Sequence, residues 1–335
     1  MSTLLRASAI AVAVGLTAAC STVEPSPAPP GEPAEEQVAA TTLFATTTVL
    51  GSVVSDIAQC VGNDAVTIEV LMPIGADPHD FAASSEQLAQ MSRAGLVVAN
   101  GLGLEAGLSD ALEQIEADGG EILHVAEWVD PLPFGEHTDD DGHDHGHDEE
   151  EQVADEHEHG DFDPHFWLDM SRMALVATQL GDELQSLLGE GSSACGELVA
   201  QEILSAEEEV FNTLSGVPDE RRVLVTDHDS FGYFAERYGF AIAGVVIPGG
   251  STLADPSSAD LAALVATIEQ RGIPVLMGSY YEQSDLLEAV AEESGNLSVV
   301  PLYVGSIGAP DSEASDYSSM MLTNARLISE ALGGR

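Results

Sequence analysis

Residues 223–238 read VLVTDHDSFGYFAERY. Val223–Thr226 is a short β-branched run of the kind buried in a parallel strand, and Phe231–Tyr238 carries apolar residues at helical spacing. Between them lies Asp227-His228-Asp229-Ser230, a strand-to-helix connection that sets one imidazole between two carboxylates. The rhythm continues towards the C-terminus. Strand Ala241–Ile247, helix Ser257–Gln270, strand Pro274–Met277, helix Ser284–Ser294 and strand Ser298–Pro301 lead to a last helix near Tyr317–Leu332. Strands alternating with helices predict parallel sheets in an α/β architecture.

The first half has the same grammar. Thr41–Val49 reads as a β-branched strand leading into a helix over Val53–Cys60; Ala65–Met72 alternates as a strand and stops at Pro73. Ser84 is placed to cap a helix over Ser84–Ala94, and Leu96–Asn100 and Glu121–Val125 read as short strands before an amphipathic Met170–Leu188. Between the halves, the apolar positions Val199, Ile203, Ala206, Val210 and Leu214 step by three or four residues. That spacing predicts one long helix over 191–216 joining an N-terminal lobe (41–190) to a C-terminal lobe (217–335).

Composition narrows the partners. The 335 residues carry 9 basic and 58 acidic side chains, a formal charge of −49, and every basic one is Arg. Phosphate backbones and anionic lipids need clustered Lys and Arg, so nucleic acid and acidic membranes are excluded as the main partners. Arg6 precedes the uncharged run Ala7–Ala19, too short to span a bilayer, which reads as an export signal over 1–19. Cys20 follows Ala18-Ala19 and resembles the lipidated Cys of a bacterial lipobox, although Thr17 stands where such boxes usually have Leu. The Pro-, Glu- and Ser-rich segment that follows makes 20–40 a flexible tether. Cys60 and Cys195 remain; outside the cytoplasm a disulfide between them is allowed, but sequence does not show that they are near.

The ten His divide into classes. Six of them, His137, His143, His145, His147, His157 and His159, fall in the insertion 134–162, which is almost wholly His, acid and Gly. Nothing there can build a core, and imidazole alternating with carboxylate offers many weak sites for Zn²⁺ or similar ions. His124 ends a predicted strand and reads as structural. His79, in Gly75-Ala76-Asp77-Pro78-His79, His165, in Asp163-Pro164-His165-Phe166-Trp167-Leu168, and His228 all read as lying in strand-to-helix connections. In open α/β sheets such connections gather at one rim and form the ligand crevice. In the two Asp-Pro-His turns the carboxylate is placed to bond a ring nitrogen and fix its tautomer.

In this order, Gly75–His79, Val97–Glu105, the His/Asp loop, Asp163–Asp169 and Asp227–Phe234 resemble the zinc-uptake solute-binding lipoproteins of bacterial ABC transporters, within the zinc/manganese substrate-binding family. The likeness runs from about Thr41 to the C-terminus. It implies two α/β lobes joined by one rigid helix, with the ion held between them by His79, His165 and His228. It further implies an extracytoplasmic monomer, held to the membrane by a lipid anchor, that delivers Zn²⁺ as cargo to an ABC permease and its ATPase subunit. Manganese members, and some zinc members, supply an Asp from an Asp-Ser pair where this chain has Gly305-Ser306. Three imidazoles without that acid favour Zn²⁺ over the oxygen-preferring Mn²⁺, with water or a carboxylate such as Glu282 as fourth ligand. A metal-buffering or adhesive surface lipoprotein is the alternative. A secreted zinc hydrolase is a further one, against which stands the lack of HExxH, HxxEH and GxSxG motifs.

Overall fold

The computed structural model describes residues 41–134, 162–249, 251–282 and 284–334. The export signal, Cys20, the tether and the six His of the insertion all lie outside the described residues.

The first sheet is built from β1 (Thr41–Ala45), β2 (Val66–Val70), β3 (Leu96–Ala99) and β4 (Ile122–His124), in the order β2-β1-β3-β4. Every neighbouring pair is parallel. Its crossovers contain α1 (Thr48–Val61), α2 (Ser85–Met91) and α3 (Ser109–Ala117). After the insertion come α4 (Met170–Glu183), the single turn α5 (Gln185–Leu188) and α6 (Ser192–Leu214), the 23-residue helix. The second sheet contains β5 (Val223–His228), β6 (Ala241–Ile247), β7 (Val275–Ser279) and β8 (Ser298–Leu302), also parallel, in the order β6-β5-β7-β8. Its helices are α7 (Gly232–Tyr238), α8 (Ser258–Arg271), α9 (Asp285–Glu293) and α10 (Tyr317–Ala331). Each sheet therefore reverses direction next to its first strand, which opens a crevice at the carboxyl ends of the strands.

Local chemistry sets several boundaries differently from the sequence reading. The first strand stops at Ala45, not Val49, because the Thr47 hydroxyl accepts the Leu50 N–H and starts α1 at Thr48. The predicted Met170–Leu188 helix breaks at Leu184. The sequence reading left out α3. β5 runs through to His228, so this imidazole sits on the last residue of a strand rather than in the following turn.

α6 packs against α4, α10 and α1. Two glycines permit the closest of these crossings: a Cβ on Gly196 of α6 would lie 2.6 Å from the Cα of Gly181 on α4 and 2.6 Å from the Ala177 carbonyl oxygen. Cys60, at the end of α1, is disulfide-bonded to Cys195 in the first turn of α6, across 135 residues of chain. The main hydrophobic core is continuous from Leu43, Val54 and Leu96 of the first lobe, through Val199 and Val210 of α6, to Leu224, Phe234 and Ile328. Both lobes fall in one compact unit. The two ends of the insertion meet, since Pro133 bridges Phe162 and the Asp163 N–H donates to the Leu132 carbonyl at 2.8 Å. Among the described residues no helix is long and apolar enough to cross a membrane.

Candidate metal centre

Three imidazoles converge where the lobes meet. His79, His165 and His228 are 3%, 1% and 4% exposed, and one ring nitrogen from each lies within 4.8 Å of the others. The Nε2 atoms of His79 and His165 are 3.1 Å apart. Tetrahedral zinc with bonds of about 2.0–2.1 Å needs ligand nitrogens about 3.3 Å apart. The first two rings already stand at that separation, and the third needs to travel about 1.5 Å at most.

Two of the imidazoles are aimed by an aspartate that precedes them, and the third follows an aspartate that holds its backbone. Asp163 Oδ1 accepts the His165 backbone N–H at 2.9 Å and lies 2.8 Å from its ring Nδ1. Asp227 Oδ1 accepts the His228 backbone N–H at 2.8 Å and lies 2.9 Å from ring Nδ1, while Asp227 Oδ2 accepts the Ser279 N–H of β7 at 2.7 Å. In the first Asp-Pro-His turn, Asp77 Oδ1 takes the His79 backbone N–H at 2.9 Å. With each Nδ1 turned towards a carboxylate, His165 and His228 present Nε2 to the centre, the arrangement that orients metal-binding histidines.

The two ring–carboxylate pairs differ electrostatically. Burial drives the Asp163 carboxyl well above its usual range, and burial together with the nearby His228 drives His165 well below its own, so both shifts disfavour charge in this pair. Burial opposes charge on Asp227 and His228 too, but their mutual attraction and hydrogen bond win, lowering Asp227 and raising His228. Beside His228 opens a cavity of about 210 Å³, lined by Asp77, Asp227, Ile247, Thr252, Glu282 and Ser284. Burial, and then the charge of Asp77, push Glu282 up to about 7. Glu282 therefore faces the cavity next to His228 but is not among the three residues whose ligand atoms converge.

The remaining sequence candidates stand elsewhere. His124 is partly exposed on the first lobe and pairs with Glu116 at 3.1 Å. His137, His143, His145, His147, His157 and His159 lie outside the described residues. At Gly305 a Cβ would sit 2.8 Å from Pro78 Cδ, so a side chain there would press on the turn that carries His79. Ser306 instead stitches the lobes, accepting the Gly75 N–H at 2.9 Å and lying 3.2 Å from the Thr48 hydroxyl.

Sequence reasoning missed the residues that hold these turns in place. Glu105 is buried and its carboxylate accepts from the Thr46 hydroxyl and from the Asn100 and Gly101 N–H groups. The Asn100 amide in turn donates to the Pro164 carbonyl at 3.0 Å, next to His165. Tyr233 of α7 donates to the Asp163 carbonyl at 2.9 Å, and Trp167 donates to the Val304 carbonyl at 2.8 Å. Glu105 closes a local turn on the Asn100 and Gly101 N–H groups, but the contacts with Thr46 and Pro164, 59 and 64 residues away in the chain, leave no local pattern.

The family model described as "Zinc-uptake complex component A periplasmic" matches residues 43–331. The zinc-binding protein TroA of Treponema pallidum is 26% identical over 287 residues, covering 83% of this chain and 86% of its own. The manganese-binding lipoprotein MntA of Halalkalibacterium halodurans is 23% identical over 276 residues, covering 82% and 83%. Among solved structures, the periplasmic zinc-binding protein TroA superposes with a TM-score of 0.71 at 23% identity, covering 88% of this chain and 99% of its own. A manganese-bound periplasmic metal-binding protein from Candidatus Liberibacter asiaticus gives 0.68 at 20% identity, covering 87% and 99%. The likeness to both structures is one of fold, two parallel four-stranded sheets in two lobes. With the family model spanning nearly all the described chain, this protein belongs to the zinc-uptake component A family, the substrate-binding proteins of metal ABC importers.

Proposed function

We propose that the chain is the extracytoplasmic, lipid-anchored receptor of a zinc importer, and that His79, His165 and His228 bind Zn²⁺ as cargo for a permease driven by a separate ATPase. The observation that carries this reading is the convergence of three buried imidazole nitrogens within 4.8 Å. An all-nitrogen set suits a borderline cation better than Mn²⁺. Water or Glu282 completes the tetrahedron. Relatives carry both zinc-binding and manganese-binding names, so the preference belongs to this chain's own ligands. Cys20 supplies the anchor, the tether 20–40 the reach, and the His-rich insertion raises the local zinc concentration with weak, interchangeable sites. The protein works as a monomeric carrier rather than a catalyst.

Titration calorimetry separates the two kinds of site. His228→Ala is expected to weaken the tight site at least a hundredfold and leave weak loop binding. Deletion of 136–160 is expected to lower the stoichiometry and keep one tight ion. Tight zinc binding that survives combined His79→Ala and His228→Ala replacement would falsify the assignment. Manganese bound more tightly than zinc would overturn the choice of cargo. Turnover of an ester, peptide or phosphoester by the zinc-loaded protein would favour the hydrolase instead.

A further inference from the structure

The turn that presents His79 belongs to the first lobe but is gripped by the second. The Gly75 N–H donates to Ser306 Oγ, the Tyr281 ring covers Gly75 so closely that a Cβ there would lie 2.8 Å from Tyr281 Cδ1, and Pro78 packs on Gly305. These contacts hold the two ends of the turn. In its middle, Asp77 uses both carboxylate oxygens: Oδ1 on the His79 N–H and Oδ2 on the Thr252 hydroxyl, at 2.9 and 2.5 Å. Thr252 sits in a turn before α8, closed by the Leu253 N–H on Ser251 Oγ at 3.2 Å.

Asp227 is held differently. Its outer oxygen is held by a backbone N–H of β7, inside the sheet of its own lobe. Asp77 is held instead by a side-chain hydroxyl reaching over from the other lobe. A hydroxyl donating to an ionised carboxylate makes a strong, short bond. Asp77 and Thr252 also line the cavity beside His228, with Glu282 on its wall. Released from Thr252, the Asp77 carboxylate would keep only the His79 N–H among these two bonds and would be free to rotate about it.

We propose that Thr252 is a positioning residue for metal capture: reaching across from the second lobe, its hydroxyl fixes Asp77, and through Asp77 it holds the His79 imidazole in place for the ion. The proposal rests on the three-histidine site. It makes one ligand's placement conditional on contact between the lobes, so that displacing the Thr252 turn loosens the ion while His165 and His228 stay fixed in their own elements. Partners bonded to a metal-binding ring are typically worth 10–100-fold in affinity; Asp77 holds the His79 backbone, so the low end of that range applies.

The test is zinc affinity of the full chain by competition with a chromophoric chelator, with thermal melting alongside. Thr252→Val is expected to weaken zinc binding at least tenfold with little change in Tm, and Thr252→Ser to stay within about threefold of the parent. Added to His79→Ala, Thr252→Val should cause no further loss, because it acts only through His79; added to His228→Ala it should keep its full effect. Parental affinity in Thr252→Val, failure of Ser to rescue, or undiminished loss on top of His79→Ala would each overturn the proposal. If His79→Ala and His228→Ala both retain tight binding, the three-histidine site itself is wrong, a result distinct from failure of the Thr252 contact.

Discussion

At the scale of single residues, the centre is governed by competition between a cation and protons. Coordination requires neutral imidazoles, so a proton held by any of the three rings at its ligating nitrogen must leave when an ion arrives. His228 is raised above its ordinary value of 6.5, so as pH falls it gains a proton before His165 does and opposes binding. His165 is lowered and does not compete in that range. Glu282 titrates near 7 and becomes a more attractive neighbour for a cation as pH rises, which acts in the same sense. Zinc affinity is therefore expected to fall as pH drops below about 7, by about tenfold per unit for each proton displaced. Chelator competition between pH 5.5 and 8 measures the slope, and a flat profile would contradict this account.

At the scale of elements, the α4–α6 crossing is the most sensitive joint. Gly181 and Gly196 face each other so closely that any side chain meets backbone, which cannot rotate out of the way. Gly196→Ala is expected to cost about 1–3 kcal/mol, a loss of several degrees in Tm. Gly191→Ala, at the N-cap of the same helix with nothing within 4 Å of its Cβ, is the control and should lose less Tm than Gly196→Ala, since it meets no backbone and bears only a capping cost. Calorimetry or circular dichroism reads both. The same helix is held to the second lobe by charge: Glu207 of α6 is buried and receives both Arg237 Nε and Nη2 at 2.8 Å, and Arg237 Nε also lies 3.6 Å from Asp169, the N-cap of α4. A paired, doubly hydrogen-bonded carboxylate is tolerable in an interior where a lone one is not.

At the scale of the whole molecule, one continuous core and one long helix oppose hinge motion. Opening the lobes as rigid bodies would expose apolar surface around α6, at roughly 25 cal/mol per Å². Loading is therefore expected to shift the loops around the ion rather than close the lobes, and small-angle scattering should give the same radius of gyration with and without zinc. A marked compaction on loading would count against it. The Cys60–Cys195 bond adds a covalent restraint at the far end of α1, closing a loop of 135 residues. Its reduction should destabilise the fold by about 2–5 kcal/mol, read as a lower Tm in reductant, without changing zinc affinity at 25 °C.

What the chain determined alone is what short-range physics encodes. Alternating apolar runs and helical spacing were enough for parallel sheets in two halves, a long central helix and the placing of His79, His165 and His228 outside the helices, because burial periodicity and turn chemistry act within a few residues. The tertiary structure decided everything that depends on distance through space. It brought the three rings within 4.8 Å, paired Cys60 with Cys195, pressed Gly305 against Pro78 and placed Thr252 on Asp77, 175 residues earlier in the chain. Such contacts carry no local pattern: they arise only when two sheets share a core, and the packing of that core fixes where each turn ends.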